Sequence, residues 1–169
     1  MFTLSSPAFQ DGGTIPDKHV EDSVLSPPLR WQNAPQGTAC FFLVMTDQDI
    51  PDMYRQNLGR GFIHWVACLP ASVTELGEGA SPGKMPTGSK EFKTDFVTFG
   101  MPGYGKHYGG PWPPDAPHRY TFTLFALKSV PNLSDEAGID EIAGAVLYNT
   151  IDVARLIGVY GPAKKPLPG

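Results

Sequence analysis

Apolar and polar positions divide the chain into three strong apolar segments set in turn-rich surroundings. Ala39-Cys-Phe-Phe-Leu-Val-Met-Thr46 and Phe62-Ile-His-Trp-Val-Ala-Cys-Leu69 are apolar at nearly every position, the pattern of strands covered on both faces. Tyr120-Thr-Phe-Thr-Leu-Phe-Ala-Leu127 is β-branched and aromatic, which predicts a third buried strand. Pro51 lies just beyond the first segment and Pro70 closes the second. The third emerges from Gly109-Gly-Pro-Trp-Pro-Pro-Asp-Ala-Pro117, where the prolines fix φ, remove backbone donors and so predict a rigid loop.

The remaining elements are weaker. Pro7, Gly12-Gly13, Pro16, Pro27-Pro28 and Gly37 interrupt residues 2–37 and leave room only for short edge strands, near Phe2 to Leu4 and Leu29 to Trp31. Asp52 to Arg60 reads as a loop or a single helical turn. Residues 71–88 read as a long excursion with a helical turn at Ser72 to Leu76, Phe92 to Phe99 as a short strand, and Gly100 to Tyr108 as a loop. Ser134 reads as the N-cap of a helix with Ile139, Ile142, Ala143, Val146 and Leu147 at helical spacing. Val153 to Tyr160 predicts a last strand before a proline-rich tail. No internal repeat or domain-scale linker interrupts residues 1–169, so one domain is expected.

Composition narrows the class. The 19 glycines and 18 prolines are spread along all 169 residues, which implies a fold with many turns rather than a disordered tail. With a net charge of −4 and no basic run longer than Lys164-Lys165, electrostatic binding to nucleic acid or acidic membranes is not expected. The start of the chain lacks a basic n-region and any apolar run of spanning length, so no transmembrane segment and a cytoplasmic location are expected. Cys40 and Cys68 each lie in an apolar strand segment, where buried free thiols are the simplest reading.

The candidate chemistry lies at the strand ends. Asp47 and Asp49 are two apart where the first strand stops, His64 interrupts the second, and His118 and Tyr120 open the third, two apart and hence on one face. Each has a structural explanation on its own: a solvated Asp turn, a satisfied core histidine, a surface histidine. Their convergence beside rigid loops suggests a pocket. Imidazoles paired with carboxylates stay protonated near neutral pH, and Gly-rich backbone can present N–H groups to an anion. The set suits a ligand bearing both signs; a metal site and an acid/base pair use the same groups. Gly-x-Ser-x-Gly, Walker, His-Glu-x-x-His and paired-cysteine zinc motifs are missing from the sequence.

Gly109-Gly-Pro-Trp-Pro-Pro-Asp-Ala-Pro-His-Arg-Tyr120 resembles the Gly-Pro loop and His-Arg-Tyr signature of the phosphatidylethanolamine-binding proteins, also called Raf kinase inhibitor-like proteins. Asp47-Gln-Asp-Ile-Pro51 is similar to that family's Asp-Pro-Asp-Ala-Pro motif, and His64-Trp65 to its His-Trp. Ser6-Pro-Ala-Phe9, Asp11-Gly-Gly-Thr-Ile-Pro16 and Ser26-Pro-Pro-Leu-Arg-Trp31 resemble the bacterial branch. The resemblance implies a mainly β fold: a large antiparallel sheet packed on a smaller one, Greek-key connections, and short helices including one near the C-terminus. It implies a non-enzymatic pocket for phosphate or a phosphorylethanolamine-like head group, no cofactor, regulation of a kinase or protease partner, and a homodimer. Carried over by motif, the ligand-binding residues are Asp47, Asp49, His64, Gly110, Pro111, His118 and Tyr120, with amides near Gly110 and both imidazoles meeting the anion. Trp112 is added as an aromatic cover for the mouth. Gln48, Ile50, His107 and a twelve-residue stretch between Pro51 and His64 depart from the family pattern and point to an altered rim. A pure interaction module and a small His/Asp-dependent hydrolase are the competing functions.

Overall fold

The computed structural model describes residues 1–168. Its largest layer is a five-stranded antiparallel sheet of β3 (Cys40–Asp47), β4 (Phe62–Pro70), β6 (Lys90–Glu91), β7 (His118–Leu127) and β8 (Thr150–Tyr160). The spatial order is β6-β4-β3-β7-β8. After the β3–β4 pair, the long excursion returns the chain to the opposite side of β3 as β7, as a Greek-key connection requires. A smaller antiparallel sheet holds β1 (Thr3–Ser5), β2 (Leu29–Gln32) and β5 (Glu75–Leu76), in the order β1-β2-β5.

Both faces of the large sheet are covered, which is why β3 and β4 are apolar at consecutive positions. Phe41, Leu43 and Met45 of β3 join Trp65, Leu69, Phe122 and Leu124 in the layer between the sheets, closed by Leu4, Leu29 and Trp31 of the small sheet. Cys40 and Phe42 face the other way, with Val66, and are covered by Ile142 and Val146 of α3 (Ile139–Leu147). Each large side chain removed from water here contributes about 1.5–3 kcal/mol. Cys40 and Cys68 are free thiols on this second face.

Three sequence expectations change. Ser72 to Leu76 is not a helical turn: after a turn closed by Val73 N–H on the Pro70 carbonyl, Glu75 and Leu76 pair with Arg30 and Leu29. The free edge of β2 was a better partner than a local turn. Phe92 to Phe99 is not a strand, because residues 95–98 form the short helix α2 (Asp95–Thr98). Asp95 is buried and is captured by the Arg60 guanidinium at 2.6 and 3.0 Å and by the Ile63 N–H at 2.7 Å, and these bonds hold α2 against the start of β4. Ser134 is not the N-cap: it accepts a turn bond from Ala137, and α3 begins after Gly138. Asp52 to Leu58 forms α1, two turns ended by Gly59 at φ +69°, the left-handed position that glycine adopts without a Cβ clash. Among the described residues no helix is long and apolar enough to cross a membrane.

Candidate functional site

At one end of the large sheet lies a cavity of about 270 Å³, whose wall includes Asp47, His64, Phe96, Trp112 and His118. β3, β4 and β7 meet there. Asp47 at the end of β3 opposes Tyr120 of β7 and Phe62 of β4. The β3–β4 register then shifts: Met45 pairs with Trp65, but Thr46 pairs with Ile63, so His64 is the extra residue of a β-bulge. A bulge re-aims a side chain out of the regular alternation. Here it places the His64 ring 5.3 Å from the Tyr120 ring, edge to face. Strict alternation read from the sequence could not supply that orientation.

The two histidines have opposite surroundings. His64 is buried, and its Nδ1 lies 2.9 Å from the Gly109 carbonyl. That carbonyl can only accept, so Nδ1 carries the proton and the neutral ring presents Nε2 as an acceptor. Burial pushes its pKa below the ordinary value, against the opposing pull of Asp47 and the Gly109 carbonyl. His118 lies 2.7 Å through Nδ1 from Asp47 and 2.8 Å through Nε2 from Asp115. Burial disfavours its charge, but the hydrogen bonds and charges of the two carboxylates outweigh it and raise the pKa. The imidazolium then donates both of its N–H groups.

Tyr120 is fully buried behind these rings and does not itself line the cavity, and its hydroxyl makes no hydrogen bond among the described residues. Burial and the Asp47 carboxylate push its pKa up, so the phenol stays protonated and able to donate. An orphaned buried hydroxyl costs free energy until something meets it.

Other predicted residues lie elsewhere. Asp49 does not line the cavity: its carboxylate takes the Arg119 N–H at 2.9 Å and the Arg119 guanidinium at 2.9 and 2.8 Å on the outer side of the strands. Gly110 and Pro111 pack against the 19–23 segment rather than facing the cavity. The Gly110 N–H donates to the Ser23 carbonyl at 3.2 Å, the Gly109 N–H to the His64 carbonyl at 3.1 Å, and the Pro111 carbonyl accepts from Glu21. A Cβ on Gly110 would lie 2.7 Å from the His19 carbonyl oxygen, so glycine is needed there for a close approach of two backbones. The expected anion-binding amides are thus consumed within the protein.

The sequence reading missed two features. Asp115, three residues before His118 in the proline loop, reaches its ring; the i,i+3 spacing was the available signal. The wall is also strongly apolar, with Phe62 stacked near Phe99 and at right angles to Phe96. Trp112 does line the cavity, and its indole N–H donates to the Lys165 carbonyl at 2.9 Å. The Lys165 N–H in turn donates 2.6 Å to buried Glu21, so the tail is tied down and Leu167 joins the wall. Among the described residues, no group of three His, Cys, Asp or Glu side chains is placed to hold a metal ion.

Comparison with known proteins bears on the family and the fold. The sequence profile described as "Phosphatidylethanolamine-binding protein" matches residues 5–161. The chain belongs to the phosphatidylethanolamine-binding protein family. It is 34% identical over 160 residues to a UPF0098 protein of Chlamydia pneumoniae, covering 93% of this chain and 97% of that one. It is 33% identical over 172 residues to the UPF0098 protein YbcL of Escherichia coli K12, covering 94% and 87%. The crystal structure of E. coli YbcL, titled a new member of the mammalian PEBP family, superposes with a TM-score of 0.80 at 29% identity, over 95% of this chain and 98% of that one. A putative PEBP homologue from Chlamydia trachomatis gives the same TM-score at 30% identity, over 95% and 97%. The fold and the bacterial-type family membership expected from the motifs are both established.

Proposed function

We propose that this family member is a non-enzymatic binding module for a small phosphate-bearing molecule, whose anionic group enters between His64, His118 and Tyr120 while its remainder lies against the aromatic wall. The observation that carries the reading is the pair of imidazoles in the cavity wall, His64 and His118, with the buried, unbonded Tyr120 hydroxyl directly behind them. The family's name, which is that of a phospholipid with such a head group, supports the same class of ligand. A binding role suits the wall better than hydrolysis, since among the described residues it offers no Ser, Thr, Cys or Lys nucleophile, and its Asp47 carboxylate is bonded to His118.

His64 is neutral in the free protein and must gain a proton to donate to a phosphate oxygen, or accept one from a monoprotonated phosphate. Titration of the labelled protein with phosphate and with phosphorylethanolamine, followed by NMR at the two histidine rings, tests the reading. Shifts at both rings are expected; rings unmoved at millimolar ligand would sink it.

A further inference from the structure

The His118 ring has two N–H donors and both are taken, yet the two acceptors differ. Asp47 is 3% exposed and ends a central strand, where leaving His118 would strand a carboxylate in an apolar site. The Asp115 side chain is 54% exposed and can rotate from Nε2 into water at small cost in solvation. Its backbone is more constrained. Pro113, Pro114 and Pro117 limit φ around it, the Ala163 N–H donates 2.9 Å to the Pro113 carbonyl, and a Cβ on Gly161 would lie 2.3 Å from Pro113 Cγ, which shows how closely the tail packs on this loop. The loop is thus tied on either side of Asp115, whose exposed side chain is the part least held by packing.

We propose that Asp115 is a built-in competitor: its carboxylate holds the position on His118 Nε2 that a ligand's anionic oxygen takes, and ligand enters by exchanging with it. The proposal rests on the reading of the cavity as an anion site and adds a selectivity rule. The exchange replaces one carboxylate–imidazolium hydrogen bond with another bond to the same donor, so a singly charged carboxylate gains little. A phosphate dianion carries more charge and further oxygens for Tyr120 and His64, and so wins the exchange. In the free protein Asp115 also keeps His118 charged and in a single orientation, with its Nε2–H already directed at an oxygen. The groups facing His118 are Asp47, Asp115 and Tyr120, with His64 and Asp49 in the adjoining shell.

The test is calorimetric titration of inorganic phosphate and of acetate into the intact protein, Asp115→Asn and Asp52→Asn. Asp52 is also exposed, beside the cavity wall at Pro51 and Tyr54, but does not touch His118, so its variant measures the general effect of removing one negative charge near the mouth. Asp115→Asn should bind phosphate about tenfold more tightly, the worth of one charge-assisted bond no longer displaced. It should also gain measurable acetate binding, and Asp52→Asn should change affinity less than about twofold. In the intact protein at pH 8, where phosphate is the dianion, saturating phosphate should move the Asp115 carboxyl-carbon resonance, read by NMR, toward that of a solvated aspartate. Equal gains from the two variants, or an Asp115 resonance that phosphate leaves unmoved at pH 8, would overturn the competitor while leaving the anion site standing. No phosphate binding by any of the three would remove both readings.

Discussion

Two carboxylate–cation pairs are built from the same two short segments, Asp47-Gln-Asp49 and His118-Arg119, and they lie on opposite sides of the β3–β7 ladder. Asp47 meets His118 on the inner side, where the two side chains are 5% and 2% exposed; Asp49 meets Arg119 on the outer side, where they are 27% and 66% exposed. The outer pair has the better geometry, a forked guanidinium with a backbone N–H added. Its carboxyl is held down to about 2, chiefly by the hydrogen bond from Arg119. Water screens it nonetheless, and an exposed pair contributes little. The inner pair cannot be lost so cheaply, because removing either partner leaves a polar group buried alone. Alternation of side chains along β7 sends His118 and Arg119 to opposite faces, and burial then separates a site from a surface clasp.

The sharpest way to break this comparison is Asp47→Ala, which leaves buried His118 without its inner acceptor and the Asp49 N–H without the 2.8 Å bond it makes to Asp47. A loss of about 3–5 kcal/mol is expected, read by urea unfolding, together with a fall in the His118 pKa. An Asp47→Ala protein as stable as the original would show that the inner pair is not desolvated as the structure places it.

A middle-sized effect should appear in the pH dependence. The pKa of His118 is raised on folding, so its contribution is complete below about 6.5 and lost as pH rises through the higher folded value. His64 has the opposite sign: its pKa is lowered, so the benefit of its neutral form is complete above about 6.5 and lost as pH falls through the lower folded value. Unfolding free energies from pH 5 to 9 should lose part of their alkaline fall in His118→Gln and part of their acid fall in His64→Gln. The same limb flattened in both variants would contradict the assigned charges.

The smallest effect belongs to the outer pair. Asp49→Asn should cost less than about 1 kcal/mol at neutral pH. Its lowered pKa means that the contribution is present above about 3.8 and fades as pH falls toward 2. Adding salt should reduce the difference from the original protein. A cost as large as that of Asp47→Ala would erase the distinction between the two sides.

Much of the arrangement was legible because it follows from local rules. The doubly apolar run Cys40 to Met45 had to be a strand covered on both faces, and Asp47, His64, His118 and Trp112 were singled out before the structure and do meet at the cavity. Asp49 was placed beside Asp47 because residues two apart share a strand face, but the strand ends at Asp47, and the chain turns where the Asp49 N–H bonds back to the Asp47 carboxylate. The amides near Gly110 were expected to be free because the loop is glycine-rich; the 19–23 segment, distant in sequence, consumes the Gly110 donor. Asp95 reads as an ordinary polar residue until Arg60 and Ile63 are seen to capture it.

The sequence by itself determined the long strands, the rigid loop and the residue types that converge at one sheet end, since periodicity and proline act over a few residues. Only the tertiary structure decided which of those groups remain available. The bulge that turns His64 inward, the Ser23 carbonyl that occupies the Gly110 N–H, and the Asp115 carboxylate on His118 are all choices of hydrogen-bond partner. A donor's identity is written in the chain, but what it is bonded to depends on which segment the fold brings within about 3 Å.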